Sequence, residues 1–409
     1  MASSTNDGLS RRGFFVAAGS AVAGAALFGC SGSREEGALQ GEPAQGASAA
    51  EGMVDPVEKR VDELLASLSD EEKLCQLFVV TPESLTGTGV VIQAGDATKE
   101  ALAACPVGGV IYFGQNLLDP AQTSSMLSNT FAFAREACGI PPLLCVDEEG
   151  GTVVRIGGKE GFDAPDVGDM AVIGATGDTA LAEEAAEVIG DYLSTLGFNT
   201  DFAPVCDVAN NPSSDTMRQR SFGDDPALVA DMVAAQVRGF TDAGVLCSAK
   251  HFPGIGAALG DSHDSRIVFQ GALSQLEAIE LVPFKAAIEA GVPLVMVGHL
   301  SLPTIVGDDT PACLSSVIVT DILRGSLGFQ GIVITDSLSM GAVGEYYTTA
   351  EAAVFALQAG CDMLLMPADL GEALEAVKDA LRDGSLAKER IEASVRRILR
   401  TKVEHIGGF

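Results

Sequence analysis

Short hydrophobic runs alternate with longer amphipathic stretches along the chain after residue 53. Eight of these runs contain almost no polar residues, which is typical of strands that are covered on both faces, as in a parallel sheet. The pattern therefore predicts eight strands, at Leu74–Val80, Gly109–Phe113, Pro142–Val146, Thr200–Val205, Leu246–Lys250, Pro293–Val297, Gly331–Thr335 and Cys361–Met366.

Helical patterns follow most of these runs. One of them opens with Asp224-Asp225-Pro226, where an acidic cap and a proline at the first helical position favour a helix start. Eight strand-then-helix units favour an α/β fold of the (β/α)8 TIM-barrel class. The alternative, an open doubly wound sheet, is weakened because no Gly-x-Gly-x-x-Gly or phosphate-loop motif follows the first strand. The predicted helices are Ala121–Ala137, Thr179–Leu196, Pro226–Ala243, Ser274–Ala290, Ser315–Leu327, Ala350–Ala359, Ala373–Arg382 and Ala387–His405.

The first thirty residues have the features of an export signal. Arg11 and Arg12 precede an apolar run that ends at Phe28, and adjacent arginines before such a run indicate twin-arginine export. The run is short for a transmembrane helix. Leu27-Phe28-Gly29-Cys30 resembles a lipoprotein cleavage box and predicts lipid attachment at Cys30, so the protein would be exported to the cell envelope and tethered to the membrane. Cleavage elsewhere, or a retained N-terminal anchor, is the alternative.

The amino-acid composition limits the classes of molecule that the protein can bind. Residues 31–52 are rich in Gly, Ala and Ser and predict a flexible linker, which leaves residues 53–409 as one folded domain. The formal charge is −31, with 25 basic against 56 acidic residues. This acidity excludes nucleic acid as a partner and disfavours electrostatic binding to anionic lipid. Contact with the membrane is therefore expected only through the N-terminal anchor.

Nine cysteines occur, and eight remain after Cys30. An even number in an exported protein is compatible with disulfides. We nevertheless interpret five of them as small buried hydrophobic residues, because they lie within or beside apolar runs: Cys75, Cys145, Cys206, Cys247 and Cys361. No cysteine or histidine spacing indicates a zinc site, and no cofactor is expected.

Charged side chains or imidazoles follow five consecutive predicted strands. Any one of them could be a helix cap or a turn residue. On a barrel, however, the carboxyl ends of the strands meet at one mouth, so together they predict a polar small-molecule site. Carboxylates and guanidinium groups suit a hydroxyl-rich ligand and glycoside cleavage, whereas no Gly-x-Ser-x-Gly nucleophile motif is present. The strand ends carry Asp147, Asp207, Lys250, His251, His299 and Asp336, and their loops add Arg155, Arg220, Asp261 and His263.

Three motifs resemble glycoside hydrolase family 3, in its single-barrel β-N-acetylglucosaminidase branch. The most specific is Lys-His-Phe-Pro-Gly-x-Gly from Lys250, followed by Asp-Ser-His from Asp261. The others are Thr-Asp-Ser-Leu-x-Met from Thr335 and Asp-x-Glu-Gly-Gly-x-Val-x-Arg from Asp147. The resemblance extends from about Gln76 to Met366. Glu148, Thr152 and Ile255 replace the Gln, Arg and His that are usual in the family, and we expect these differences to affect the outer pocket.

The resemblance implies a role for each site residue. Asp336 would be the nucleophile, His263 the acid/base and Asp261 the residue that orients it. Lys250 and the nearby arginines should lower the pKa of Asp336, and a histidine can both give and take a proton near neutral pH. The sugar would be held by Asp147, Arg155, Arg220, Lys250 and His251, together with Asp207 and His299.

The implied activity is that of an exo-acting retaining β-N-acetylglucosaminidase. It would release terminal GlcNAc from peptidoglycan fragments or related glycans, as a monomer and without a metal. A β-glucosidase, β-xylosidase or glycoside phosphorylase of the same family is an alternative. A sugar-binding lipoprotein without catalysis is another.

Overall fold

The computed structural model describes residues 55–211, 215–258 and 266–407. Within these ranges there are eight parallel strands: β1 (Phe78–Val80), β2 (Gly109–Ile111), β3 (Leu143–Val146), β4 (Thr200–Asp201), β5 (Leu246–Phe252), β6 (Leu294–Val297), β7 (Ile332–Thr335) and β8 (Leu364–Leu365). They pair in the order β7-β6-β5-β4-β3-β2-β1-β8. A parallel bridge between Ile334 and Met363 joins the two ends of this order, so the sheet closes into the predicted (β/α)8 barrel.

Helices surround the barrel and cover its outer face. Every residue of the eight strands is buried, which explains why the strands are apolar rather than alternating. In the described part of the chain, no helix is both long enough and apolar enough to cross a membrane. The α-helices are Pro56–Ser67, Asp70–Cys75, Pro82–Thr86, Asp96–Ala104, Pro120–Cys138, Met170–Gly174, Thr179–Leu196, Asp215–Arg218, Pro226–Asp242, Leu273–Ala278, Leu281–Glu289, Pro303–Val306, Gly341–Gly344, Thr349–Ala359, Leu370–Asp383 and Lys388–His405, with a 3-10 helix at Ala312–Leu314 and a π-helix at Val317–Ser326.

The first strand is shorter than predicted because a helix occupies its first residues. Ser69 accepts a hydrogen bond from the amide of Glu72, and the Glu72 carboxylate accepts one from the amide of Ser69. This reciprocal capping starts a helix that continues through Cys75. The hydrophobic run therefore changes from helix to strand in its middle, which a run of apolar residues does not reveal.

The helix predicted from Ser274 to Ala290 is also wrong, because two helices form there instead. The first ends at Ala278 and the second begins at Leu281. Pro283 explains the interruption, since proline has no amide hydrogen and its ring clashes with the carbonyl four residues earlier, here that of Ile279. The break places Glu280 between the two helices, with only 1% of its surface exposed.

A buried ion cluster lies at the amino-terminal end of the strands, opposite the predicted site. Asp362 precedes β8, is fully buried and pairs with Arg324 and Arg397, and it also accepts a hydrogen bond from Ser394 at 2.6 Å. Lys402 donates to the carbonyl of Gly108, directly before β2, at 2.8 Å. Helix Lys388–His405 thus contacts both the first and the last parts of the barrel.

The structure corrects the interpretation of one cysteine. Cys75 is buried, as expected, but it forms a disulfide with Cys105, with 5.6 Å between the two Cα atoms. Each residue precedes one of two neighbouring strands, β1 and β2, so strand pairing brings the two together. The other four cysteines interpreted as hydrophobic residues are buried and free, as predicted: Cys145, Cys206, Cys247 and Cys361.

Candidate active site

A cavity of about 450 Å³ opens at the carboxyl ends of the strands. Six of the predicted site residues line it, which confirms that the barrel brings distant parts of the chain together. Its floor and walls also include apolar side chains from several strands and loops, among them Ile111, Phe113, Met296 and Leu365. The six predicted residues are Asp147, Arg155, Arg220, Lys250, His251 and Asp336.

Lys250 lies at the centre of the charged wall. It extends from β5, is buried, and contacts Asp147 at 2.8 Å and Glu149 at 2.6 Å through its Nζ atom. Burial alone would lower the pKa of Lys250, but these two carboxylates raise it above its ordinary value. The ammonium group therefore stays charged and holds both side chains that follow β3.

Glu149 is a site residue that the motif-based assignment did not include. Both oxygens of its buried carboxylate accept hydrogen bonds from Arg220, each at 2.7 Å. Burial would raise the pKa of Glu149, but the charges of Lys250 and Arg220 lower it well below its usual range. Glu149 thus joins the loop after β4 to the end of β5. In the sequence, the run of acidic residues directly after β3 was the signal that could have identified Glu149 as a site residue.

His251 faces the cavity and is oriented from behind by Asp207. The ring Nδ1 lies 2.7 Å from Oδ2 of Asp207, which is completely buried. The other carboxylate oxygen of Asp207 accepts the amide of Ile255 at 2.7 Å. Asp207 was predicted to hold the sugar, but it is not among the described residues that line the cavity; it positions His251 and the start of the next loop.

Asp336 follows β7 and presents its carboxylate to the cavity. Its Oδ1 accepts the amide of Ser337 at 2.7 Å. Burial would raise the pKa of Asp336, but His299, His251, the amide of Ser337 and then Lys250 together lower it. The predicted direction is correct, although imidazoles act more strongly here than the arginines that were expected, because Arg220 is paired with Glu149.

His299 lies behind this part of the wall rather than on it. Its Nε2 is 2.8 Å from the carbonyl oxygen of Ser337, and its Nδ1 is 3.2 Å from Sγ of Cys313. The ring is 1% exposed. His299 therefore supports the residue next to Asp336, while Asp261 and His263 lie outside the described residues.

Glu148 shapes the loop after β3 instead of the outer pocket. Its fully buried carboxylate accepts the amides of Arg155 and Gly157, each at 2.6 Å, and the hydroxyl of Tyr192 at 2.8 Å. These bonds fold the loop back so that the guanidinium group of Arg155 lies 5.6 Å from the ring centre of Phe113. Both side chains then line the same side of the cavity.

The charges on the described lining are balanced. Asp147, Glu149 and Asp336 carry negative charge, and Arg155, Arg220 and Lys250 carry positive charge. Most of these groups are already paired with one another, so their remaining hydrogen-bonding positions face the cavity. Such a surface suits a polar but uncharged ligand with several hydroxyl groups.

Comparisons with known proteins agree with this geometry. The profile of the glycosyl hydrolase family 3 N terminal domain matches residues 69–401. Beta-hexosaminidase A of Pseudoalteromonas piscicida is 32% identical over 331 residues, which are 75% of this chain and 55% of that protein. Beta-hexosaminidase LpqI of Mycobacterium tuberculosis is 33% identical over 371 residues, 87% of this chain and 89% of that protein.

A solved structure is similar as well. The family 3 β-N-acetylglucosaminidase of Paenibacillus sp. str. FPU-7 is 37% identical, with a TM-score of 0.77, over 84% of this chain and 64% of that one. The chain thus spans little more than half of the first relative and nearly all of LpqI. The region that the family profile matches contains all eight strands.

Proposed function

Since the chain belongs to glycosyl hydrolase family 3, we propose that it is an exo-acting retaining β-N-acetylglucosaminidase. The observation that carries this proposal is the position of Asp336: an ionised carboxylate at the end of β7, in a cavity whose other described charged groups are two carboxylates and three basic side chains. The relatives are named β-hexosaminidase and β-N-acetylglucosaminidase, which supports the choice of sugar.

In the proposed reaction, a carboxylate oxygen of Asp336 attacks the anomeric carbon of the terminal sugar. The glycosidic C–O bond breaks, and the departing oxygen takes a proton from His263. Water then attacks the covalent glycosyl-enzyme, gives a proton back to His263 and releases Asp336. Two inversions give net retention of configuration. The low pKa of Asp336 suits this role, because a nucleophile must be ionised.

We assign the acid/base role to His263 and its orientation to Asp261 on the motif alone. The proposal is chemically consistent, since imidazole can donate and accept a proton near neutral pH. Asp147, Arg155, Arg220, Lys250 and His251 would bind the hydroxyl groups of the sugar. Asp207 and His299 would act through His251 and the Asp336 loop, respectively.

A substrate panel with two variants tests the activity. The wild type should hydrolyse an aryl β-N-acetylglucosaminide faster than the matching β-glucoside or β-xyloside, and Asp336→Asn should lose at least about 10³-fold in kcat. Asp321→Asn, at an exposed position, is the control. A 5-fluoro-GlcNAc donor should add one sugar mass to the wild type and none to Asp336→Asn.

The same panel separates the alternatives. Added phosphate that yields sugar-1-phosphate would indicate a phosphorylase, and a preference for β-glucosides would indicate the other hydrolase branch. Tight sugar binding without turnover would indicate a binding protein. Comparing GlcNAc-ended peptidoglycan fragments with chitobiose tests the proposed natural substrate.

We also propose that the protein is exported by its twin-arginine signal and anchored through lipid on Cys30. Adjacent arginines before the apolar run support the first part and the cysteine box supports the second. Replacing Arg11 and Arg12 with lysine should retain the precursor in the cytoplasm. Cys30→Ser should move the enzyme from the membrane fraction to a soluble one; unchanged membrane retention would disprove lipid anchoring at this residue.

A further inference from the structure

Glu280 is a buried carboxyl group beneath the active-site loops, at the break between helices Leu273–Ala278 and Leu281–Glu289. Its Oε1 accepts a hydrogen bond from Nδ2 of Asn210 at 2.9 Å. Its Oε2 has no hydrogen-bond partner among the described residues. A buried carboxylate oxygen without a partner is costly, so its presence calls for a role or a proton.

Glu280 also packs against Gly254, the second residue of the loop after β5. A Cβ atom placed on Gly254 would lie 2.7 Å from both Oε2 and Cβ of Glu280. Gly254 also has a φ of 112°, in the left-handed region that favours glycine. The backbone at 254 therefore rests directly on the carboxyl group of Glu280.

These contacts lead to the cavity within a few residues. Asn210 is three positions after Asp207, and Gly254 lies between His251 and Ile255, the two residues that Asp207 holds. The amide of Gly254 donates to the carbonyl of His251 at 2.8 Å. Glu280 thus supports both partners of the Asp207–His251 pair from the side away from the cavity.

We propose that Glu280 is a positioning residue that holds the loops after β4 and β5 together in its protonated form, and so keeps His251 oriented for sugar binding. This inference rests on the proposed glycosidase function for its kinetic readout. Ionisation would place a second buried carboxylate near Asp207, and the repulsion would loosen the contact that orients His251.

Burial raises the pKa of Glu280 to about 7. The hydrogen bond from Asn210 and the nearby backbone of Val208 act in the opposite direction, and the charge of Asp207 acts in the same direction as burial. Asp207 is the ionisable side chain, among the described residues, whose charge acts on Glu280 from the facing loop. Below pH 7 the carboxyl group is neutral, and above pH 7 it is charged. Substrate binding should therefore weaken as the pH rises through 7.

The kinetic test compares Glu280→Gln with the wild type between pH 5.5 and 8.5. The wild-type KM should rise about fivefold across this range, whereas Glu280→Gln should keep the low-pH KM throughout, with kcat little changed relative to the wild type. Glu277→Gln, exposed on the preceding helix, should behave as the wild type. A Glu280→Gln variant that keeps the pH-dependent rise in KM, or that lowers kcat alone, overturns the proposal.

A second variant tests the same coupling without altering the carboxyl group. Asn210→Ala removes the side-chain hydrogen bond that favours the charged form, so its rise in KM should move to higher pH. A rise that stays near pH 7 or moves lower contradicts the inference. This result remains informative even if Glu280→Gln folds poorly.

A measurement without substrate separates this inference from the proposed function. The carboxyl carbon of Glu280 can be followed by NMR and identified by its loss in Glu280→Gln. It should titrate near pH 7 in the wild type and in Glu277→Gln, and at higher pH in Asn210→Ala. A Glu280 carboxyl group that titrates at its ordinary acidic pH overturns the inference whether or not the protein is a glycosidase.

Discussion

Replacing Glu149 with glutamine would remove one buried negative charge from the active-site wall while keeping the size of the side chain. In the structure, the carboxylate accepts two hydrogen bonds from Arg220 at 2.7 Å and contacts Lys250 at 2.6 Å. The oxygen of a glutamine could replace Oε1 and accept from Lys250 and one arginine nitrogen. Its amino group would then face the Nε–H of Arg220, donor against donor.

The cost follows from these three contacts. Two charge-assisted bonds would become bonds to a neutral acceptor, which costs about 1 kcal/mol each, and one buried donor would lose its partner at about 1 to 2 kcal/mol. The sum of about 3 to 4 kcal/mol lies in the lower part of the range for breaking a buried ion pair. With an unfolding entropy of about 2.1 cal/mol/K per residue over the barrel, the melting temperature should fall by roughly 4 to 5 °C.

Scanning calorimetry and steady-state kinetics measure the two consequences. Misplaced Arg220 and Lys250 should lower kcat/KM for the β-GlcNAc substrate by at least about tenfold, which corresponds to 1.4 kcal/mol. Glu160→Gln, at an exposed position in the same loop, should stay within about 1 °C of the wild type. If Glu149→Gln melted within 1 °C of the wild type and kept the wild-type kcat/KM, the inferred contribution of this carboxylate to stability and to substrate binding would be wrong.

Three further predictions follow from other parts of the structure. The pKa of Asp336 is lowered, so kcat/KM, and any stability that the ionised carboxylate contributes, should fall only when the pH drops below the usual pKa of about 3.9. An acid midpoint of kcat/KM above pH 4.5 would contradict this. Replacing both Cys75 and Cys105 with serine should cost about 3.6 kcal/mol for a separation of 30 residues, whereas an unchanged melting temperature would argue against a disulfide in solution. Gly254→Ala should destabilise the protein by about 2 kcal/mol more than Gly161→Ala. Both glycines have a positive φ, but of these two positions a Cβ atom would meet neighbouring atoms at 254 and open space at 161. Equal losses of stability would show that packing around Gly254 is unimportant.

The sequence predicted the barrel and most of the cavity because both depend on local signals. Apolar runs mark parallel strands, and polar residues directly after such runs must meet at one end of the barrel. That reasoning placed Asp147, Lys250 and Asp336 correctly in one cavity. It needed no knowledge of which strands pair.

The remaining features depend on contacts between side chains far apart in the chain. Asp207 and His299 follow their strands as Asp147 and Asp336 do, yet both lie behind the cavity wall. Residue spacing cannot distinguish a group that touches a ligand from one that holds its neighbour. Glu280 was also hidden within an apparently continuous helix, although Pro283 was a signal that the helix would break.

The last helix of the barrel has a consequence for folding during synthesis. Helix Lys388–His405 follows all eight strands, yet its side chains pair with Asp362 before β8 and with the carbonyl of Gly108 before β2. After all eight strands have left the ribosome, Asp362 still lacks its partners Arg397 and Ser394, because this helix has not yet emerged. We expect partly synthesised chains to hold an incompletely sealed barrel, open to proteolysis at its base, until these final turns are added.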